Sequence, residues 1–502
     1  KYLKFNEILT KLFLINSEYV KKNLNNIKLK GLDIDLIIKG INNEFMFSKY
    51  GILLFNFHSS MPQFVDTMLI IDLIRNNSLK FYKDINNISK DKIKIMIEKD
   101  KNIKDLFEHI HLKSNFPFSY HGKNSRELFE KKNEIVKLYL EHKYKDLDFE
   151  FKSKKSGNKS KIKVAFFSNF LSRKHSVFKD RHQIIKHLSK ETNFKVYVIT
   201  FDNLREDIKD NYKDCIHIKL ENDIVKSIET IRDLNLDYLV FCEIGMDYRA
   251  YYMAFYKMAN IHINTWGHSD TSGIKHIEYF MSSKFYENET SQENYSEKLI
   301  LMDSLCTCYV NPTEKYDLIK KTYNYSLFEN QDIILCNQSL FKILPIFDDY
   351  IIDILKENKS SIIVLIDSVK NLREKFMKRI AKKCDNLDIL NRIKITDHGY
   401  GHDEFVNLVK LSKIQLDVYP FGGCNSSLEC LSLNIPVITQ PSKILNGRFT
   451  TGFYKKINIS ELICKNKKSY LKLVKKLLSN NKYYNNIKNN IRKKKIRIIR
   501  RV

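Results

Sequence analysis

The stretch Leu416–Pro441, LDVYPFGGCNSSLECLSLNIPVITQP, carries an apolar run into a proline, two glycines and a cluster of small amide and hydroxyl side chains, then continues at helical spacing. Glycine lets backbone approach a ligand closely. The first N–H groups of a helix, with the positive end of its dipole, seat an anion. Asn and Ser at such a point also read as ordinary side-chain caps. Glu429 lies one turn further in. A carboxylate there repels a phosphate but accepts two hydrogen bonds from a vicinal diol, so Asn425, Ser426, Ser427 and Glu429 together point to a nucleotide. A second group, CNQSLFKILP (Cys336–Pro345), offers Lys342 as a mobile cation for phosphate oxygens and Gln338 as an amide for a sugar or phosphate oxygen. A plain surface lysine is the competing reading. In HGYGHDEF (His398–Phe405), flexible backbone around Gly399 and the rings of Tyr400 and Phe405 suit a flat base. SNFLSRKHSVFKDRH (Ser168–His182) supplies His175, and WGHSDTSG (Trp266–Gly273) supplies His268, Asp270, Thr271 and Ser272 beside the single tryptophan.

These groups need a scaffold that brings distant segments together. Ile162–Phe170, Phe194–Phe201, Leu236–Gly245 and Ile261–Gly267 are short apolar runs separated by helical patterns such as NDIVKSIETIRDLN (Asn222–Asn235). Alternation of this kind predicts a parallel sheet covered on both faces. The pattern breaks near Asn311–Gln331 and restarts with Asp332–Gln338, Ser361–Asp367, Arg392–His398, Ile414–Pro420 and Pro436–Pro441. The expected class is α/β, with two consecutive doubly wound domains facing a cleft. Ligands of such folds sit beyond the carboxyl ends of the strands, which is where every group above falls. The expected organisation is a helical region over 1–150, a linker over 151–161, a first Rossmann-like domain over 162–325, a second over 326–480 and a basic helix or tail over 481–502. No repeat of helical pairs is visible in the first region.

Composition narrows the classes further. The chain has 502 residues, enough for two to four domains, and 43% of them are hydrophobic, enough for packed cores. The net charge of +27 comes from 86 Lys and Arg against 59 Asp and Glu. The basic residues are scattered, with one true cluster at Arg492–Arg501, and no interleaved aromatic and basic signature accompanies them; a nucleic-acid partner is not expected. Nine cysteines form no CxxC pair, which fits free thiols in a reducing, cytoplasmic setting. No apolar run approaches the roughly 18 residues of a membrane span, no secretory leader is visible, and no metal-binding motif appears.

In order along the chain, FCEIGMD, NTWGHSDTSG, IEYFMSS, YSEKL, CNQSLFKILP, YPFGGCNSSLE and LNGRFT resemble the blocks of the O-linked N-acetylglucosamine transferase family, which includes the SPINDLY-type fucosyltransferases and many bacterial homologues. The likeness spans roughly Ile162 to Asn480. It implies a GT-B fold and inverting, metal-independent transfer from a nucleotide-sugar, most simply N-acetylglucosamine from UDP-GlcNAc, to Ser or Thr of a polypeptide, with no cofactor. It further implies that Lys342 neutralises the departing diphosphate, Gln338 contacts the donor, Asn425, Ser426 and Ser427 receive the β-phosphate, and Glu429 holds the ribose where animal enzymes have Asp. Phe405 falls where those enzymes stack a histidine on the base. His175 matches the first-domain active-site histidine, as base, relay or orienter, and Thr271–Gly273 the loop facing the donor. GDP-fucose or UDP-glucose as donor, a glycan as acceptor, and a non-catalytic nucleotide-sugar-binding scaffold are the alternatives.

Overall fold

The computed structural model of the chain describes residues 64–99, 101–112, 116–151, 161–310, 331–367, 369, 371–396 and 402–500. Its described residues divide into two compact units, one of those up to 112 with 131–143, the other of those in 116–130 with those from 144 onward. The first contains helices α1 (Met68–Asn86), α2 (Lys90–Lys99), α3 (Lys101–Leu112) and the later turns of α4 (Arg126–Lys143). Its core is made by Ile71, Ile85, Phe107, Ile110, Ile135 and Leu140, all buried at the periodic spacing of amphipathic helices. Residues 116–130, expected with this helical region, group with the second unit instead.

The second unit holds two parallel sheets. Strands β1 (Ile162–Phe167), β2 (Phe194–Thr200), β3 (Ile216–Lys219), β4 (Leu236–Phe241), β5 (Ala259–Asn264), β6 (Tyr279–Ser283) and β7 (Lys298–Met302) form a sheet of order β3-β2-β1-β4-β5-β6-β7. Helices α5 (Ser176–Leu188), α6 (Ile224–Asp233) and α7 (Tyr248–Met253) connect its strands. After the two-residue strand β8 (Tyr309–Val310), a second sheet is built from β9 (Asp332–Ser339), β10 (Ser361–Ile366), β11 (Ile393–Ile395), β12 (Ile414–Leu416) and β13 (Val437–Ile438), in the order β11-β10-β9-β12-β13. Its helices are α8 (Pro345–Glu357), α9 (Leu372–Ala381), α10 (Leu387–Asn391), α11 (His402–Leu411), α12 (Asn425–Ser432), α13 (Phe449–Ile457), α14 (Lys467–Ser479) and α15 (Asn481–Lys494). The basic run at the C-terminus ends α15 and continues into β14 (Ile499–Arg500), which pairs in parallel with β8, so the end of the chain returns to the strand that follows the first sheet.

Both sheets wind outward from a central strand, then restart on its other side. The reversals fall between β1 and β4 in the first sheet and between β9 and β12 in the second. A crevice opens beyond the carboxyl ends at such a switch point. The segments after β1, β9 and β12 are the ones that carry His175, Lys342 and Asn425, so topology alone draws the candidate residues together.

Candidate functional site

Gln338 lies near the end of β9, and Lys342 closes the 3-10 turn Leu340–Lys342 that follows. The β12 segment ends in the Gly422-Gly423 turn. Buried Asp417 accepts hydrogen bonds from Gly423 N at 2.6 Å and Thr439 Oγ1 at 2.7 Å, which ties that turn to the strand. Burial raises the Asp417 carboxyl to about 6 despite these donors. Gly423 has a steric reason to be glycine: an added Cβ would stand 2.6 Å from both Ser426 Oγ and Ser427 Oγ and 2.8 Å from Gln338 Nε2.

Helix α12 starts directly after this turn. Its N-cap is Cys424, which makes no side-chain cap bond, and Asn425 is already the first helical residue. Capping by Asn or Ser, the competing reading of this stretch, is not what these side chains do. Gln338 Nε2 donates to Ser426 Oγ at 2.8 Å, and Thr450 Oγ1 donates to Ser427 Oγ at 2.8 Å. The first-turn backbone N–H groups therefore face the turn without a capping oxygen.

Lys342 projects beside this helix start. Its ammonium lies 5.1 Å from the ring centroid of Phe421, 5.5 Å from Tyr120 and 5.9 Å from Phe341. Among the described residues no carboxylate pairs with it and no acceptor takes a hydrogen bond from it. Burial, which disfavours the charged form, lowers its pKa to about 8. A cation held among rings next to uncapped helix amides is an arrangement suited to an anion.

The first-sheet side is built on α5. His175 is its N-cap: Nδ1 accepts a hydrogen bond from Val177 N at 3.3 Å, and the ring stacks on Phe170 at 4.4 Å. Burial, then the charges of Arg173 and Lys179, hold its pKa down at about 4. The imidazole is thus neutral near pH 7, with its proton on Nε2 as long as Nδ1 accepts. One turn on, Lys179 Nζ donates to Glu429 Oε1 at 2.7 Å, and Tyr309 OH donates to the same oxygen at 3.4 Å. Asn425 Nδ2 donates to Ser176 O at 3.3 Å and to Asp180 Oδ2 at 3.4 Å. Asn425 and Glu429, four apart on α12, therefore join it to α5 across the crevice. Burial holds the Asp180 carboxyl near 6.

Other expected residues stand elsewhere. Thr271 Oγ1 donates to Glu297 Oε2 at 2.6 Å and Ser272 N to Glu297 Oε1 at 2.8 Å; both side chains are buried, so this loop is anchored on Glu297 and does not offer its side chains to the crevice. His268 Nε2 is 2.7 Å from Ser119 Oγ in the interior. Phe405 lies half-buried on α11, while Gly399 and Tyr400 fall outside the described residues. Sequence reasoning missed Tyr120, Phe421 and Lys179. Phe421 and Lys179 sit beside residues that were singled out, four residues from His175 in the case of Lys179, whereas Tyr120 carried no signal. Among the described residues no three His, Cys, Asp or Glu side chains gather as a metal site, and no helix is long and apolar enough to cross a membrane.

Residues 311–499 match glycosyl transferase family 41. A stretch of 230 residues, 43% of this chain, is 22% identical to the probable UDP-N-acetylglucosamine–peptide N-acetylglucosaminyltransferase SPINDLY of Eustoma exaltatum subsp. russellianum; it covers 23% of that relative, so the likeness reaches less than a quarter of its length. A solved structure of a mutant O-GlcNAc transferase from Thermobaculum terrenum superposes with a TM-score of 0.65 at 14% identity, covering 92% of this chain and 88% of that one, and it shares the fold. Two parallel-sheet lobes give the chain a fold of GT-B type, and over residues 311–499 it is similar to the glycosyltransferases of family 41.

Proposed function

We propose that the chain transfers a sugar, most simply N-acetylglucosamine from UDP-GlcNAc, to the hydroxyl of Ser or Thr in a polypeptide, with inversion and without a metal. The observation that carries this reading is Lys342: a cation with no anionic partner among the described residues, beside the uncapped start of α12. In the reaction an acceptor oxygen forms a bond to the anomeric carbon from the face opposite the diphosphate. The bond from that carbon to the phosphate oxygen breaks, both bonding electrons leave with the diphosphate, and the proton of the acceptor hydroxyl passes to an oxygen of the departing diphosphate. Negative charge grows on the leaving oxygens, where Lys342 and the α12 amides stabilise it. Gln338 holds Ser426 in line, and Asn425 and Ser427 serve through their backbone N–H groups. Glu429 takes the ribose hydroxyls, in a place where Lys179 now pairs with it. With Nδ1 occupied by Val177 N–H, His175 presents Nε2–H and acts as an orienting donor; the structural support is its cap geometry and its lowered pKa. A cytoplasmic setting and a polypeptide acceptor belong to the same reading, as do Phe405 and the Gly399–Tyr400 segment at the base.

Thermal-shift titration of the whole chain with UDP, GDP, UDP-GlcNAc, UDP-glucose and GDP-fucose identifies the donor class, since a ligand that binds the folded state raises its melting temperature. Stabilisation by GDP and GDP-fucose alone would move the reading to a fucosyl donor. Lys342→Ala is expected to lower turnover of the stabilising donor by about 10²- to 10³-fold, the usual loss for one charge-stabilising donor. Turnover near that of the unaltered chain would remove Lys342 from the leaving-group role.

A further inference from the structure

The turn Phe116–His121 precedes both sheets in the chain, and the donor-site reading does not use it. It is fixed from several sides. Ser119 Oγ meets His268 Nε2 at 2.7 Å, Phe116 stacks on the His268 ring at 5.8 Å, and Asn446 Nδ2 donates to the Ser119 carbonyl. Gly122, at φ +65°, ends the turn against Pro420; a Cβ there would stand 2.4 Å from the Pro420 Cβ. These contacts set Tyr120 edge-on to Phe341 at 5.2 Å and to Phe421 at 4.7 Å, with Lys342 Nζ 5.5 Å from its centroid.

We propose that Tyr120 is a positioning residue of the donor site, closing with Phe341 and Phe421 an aromatic cage that keeps the Lys342 ammonium charged and aimed until a diphosphate takes up its charge. The proposal rests on Lys342 being the diphosphate cation. An ammonium taken out of water tends to lose its proton. A carboxylate beside it would keep it charged but would compete with the incoming diphosphate. Ring faces stabilise the cation without neutralising it, which suits a site that must wait for its anion. Among the described residues the Tyr120 hydroxyl makes no hydrogen bond, so the ring, not the hydroxyl, is the part in use.

The test reads nucleotide affinity against pH. Among the described residues the other titratable groups facing Lys342 are Cys424, whose thiol burial pushes well above 9, and Tyr120, whose phenol burial raises, so neither ionises near 8. Asp417 and Asp180 titrate near 6 and His175 near 4. Glu243, held near 8 by burial, lies at the end of β4 against Gly267, and its contribution is isolated by a Lys342→Ala background. Calorimetric titration of the whole chain with UDP and with GDP from pH 7 to 10 is expected to show affinity falling as pH rises through about 8. Tyr120→Phe keeps that profile. Tyr120→Leu moves the fall to lower pH by roughly half to one unit, the scale of a partly desolvated cation–π contact. A Tyr120→Leu profile that overlays the unaltered one, while Lys342→Ala abolishes the fall, overturns the cage and leaves Lys342 in its role. A fall unchanged in Lys342→Ala overturns both. Should Tyr120→Leu fail to fold, Phe421→Leu removes another wall and carries the same expectation.

Discussion

Glu429 stands where an acid suited to a sugar diol was expected, yet its Oε1 already receives Lys179 Nζ at 2.7 Å. The two facts are compatible because the lysine is long and more than a third exposed, while the carboxylate is nearly buried. A buried carboxylate without a partner costs more than a shared one, and on the proposed reading ribose hydroxyls would take the place of Lys179 at this oxygen. Hydrogen bonds to a diol are made equally in the ground state and the transition state, so they set affinity more than rate. Glu429→Ala is therefore expected to raise the dissociation constant for the nucleotide about tenfold and to leave kcat within a few-fold. Direct calorimetry on the purified variant checks this; an unchanged dissociation constant would remove Glu429 from the ribose.

At the scale of elements, the turn before α12 decides more than any single side chain. Gly423 N is committed to Asp417, and the space where its Cβ would lie is bounded by Ser426, Ser427 and Gln338. Gly423→Ala must push Ser426 and Gln338 apart, which re-aims the first N–H groups of α12 while the strands behind remain packed. The expected result is nucleotide affinity at least tenfold weaker with unchanged far-ultraviolet circular dichroism; full affinity would show that the amides of this turn do not hold the phosphate. The same turn shows how far the sequence could be read. Its strand, glycines and helix start were legible because each has a local cause, and so were the paired βα series, since strands covered on both faces read as continuous apolar runs. Three strands of the first sheet, Ile216–Lys219, Tyr279–Ser283 and Lys298–Met302, gave no such run: the first and last lie at the sheet edges and are half-exposed or exposed along their length. Tyr120 was illegible for another reason. It reaches Lys342 across more than two hundred residues, and only tertiary packing brings it there. Thr271 and Ser272 were legible as a loop, but their partner Glu297 was not, so a structural anchor resembled a ligand contact.

For the whole molecule, folding buries acids that would otherwise be charged. Glu243 is fully buried at the end of β4 and titrates near 8, while Asp180 and Asp417 titrate near 6. Burial is the first cause in each case, and each folded value lies above the unfolded one. Such groups contribute stability that is fully present below about pH 4 and lost as pH rises through 6 for the aspartates and through 8 for Glu243. His175 acts in the opposite sense: its lowered value leaves its contribution present above about 6.5 and lost as pH falls through 4. The net charge of +27 adds self-repulsion that grows as acids are protonated, so a raw melting curve mixes several causes. Comparing one neutral isostere with the unaltered chain separates them. Glu243→Gln keeps an oxygen for the Met246 N–H, which Glu243 Oε2 now accepts at 2.9 Å, and removes the ionisation. The unaltered chain must ionise this buried acid, or keep it protonated against the solvent, at pH 8, a cost on the order of a few kcal/mol for a shift of this size. Glu243→Gln is therefore expected to raise the melting temperature by several degrees at pH 8.5 and to change it little at pH 5. An equal shift at both pH values would mean that packing, and not proton binding, sets the effect, and that Glu243 is not the group whose ionisation opposes folding in alkaline solution.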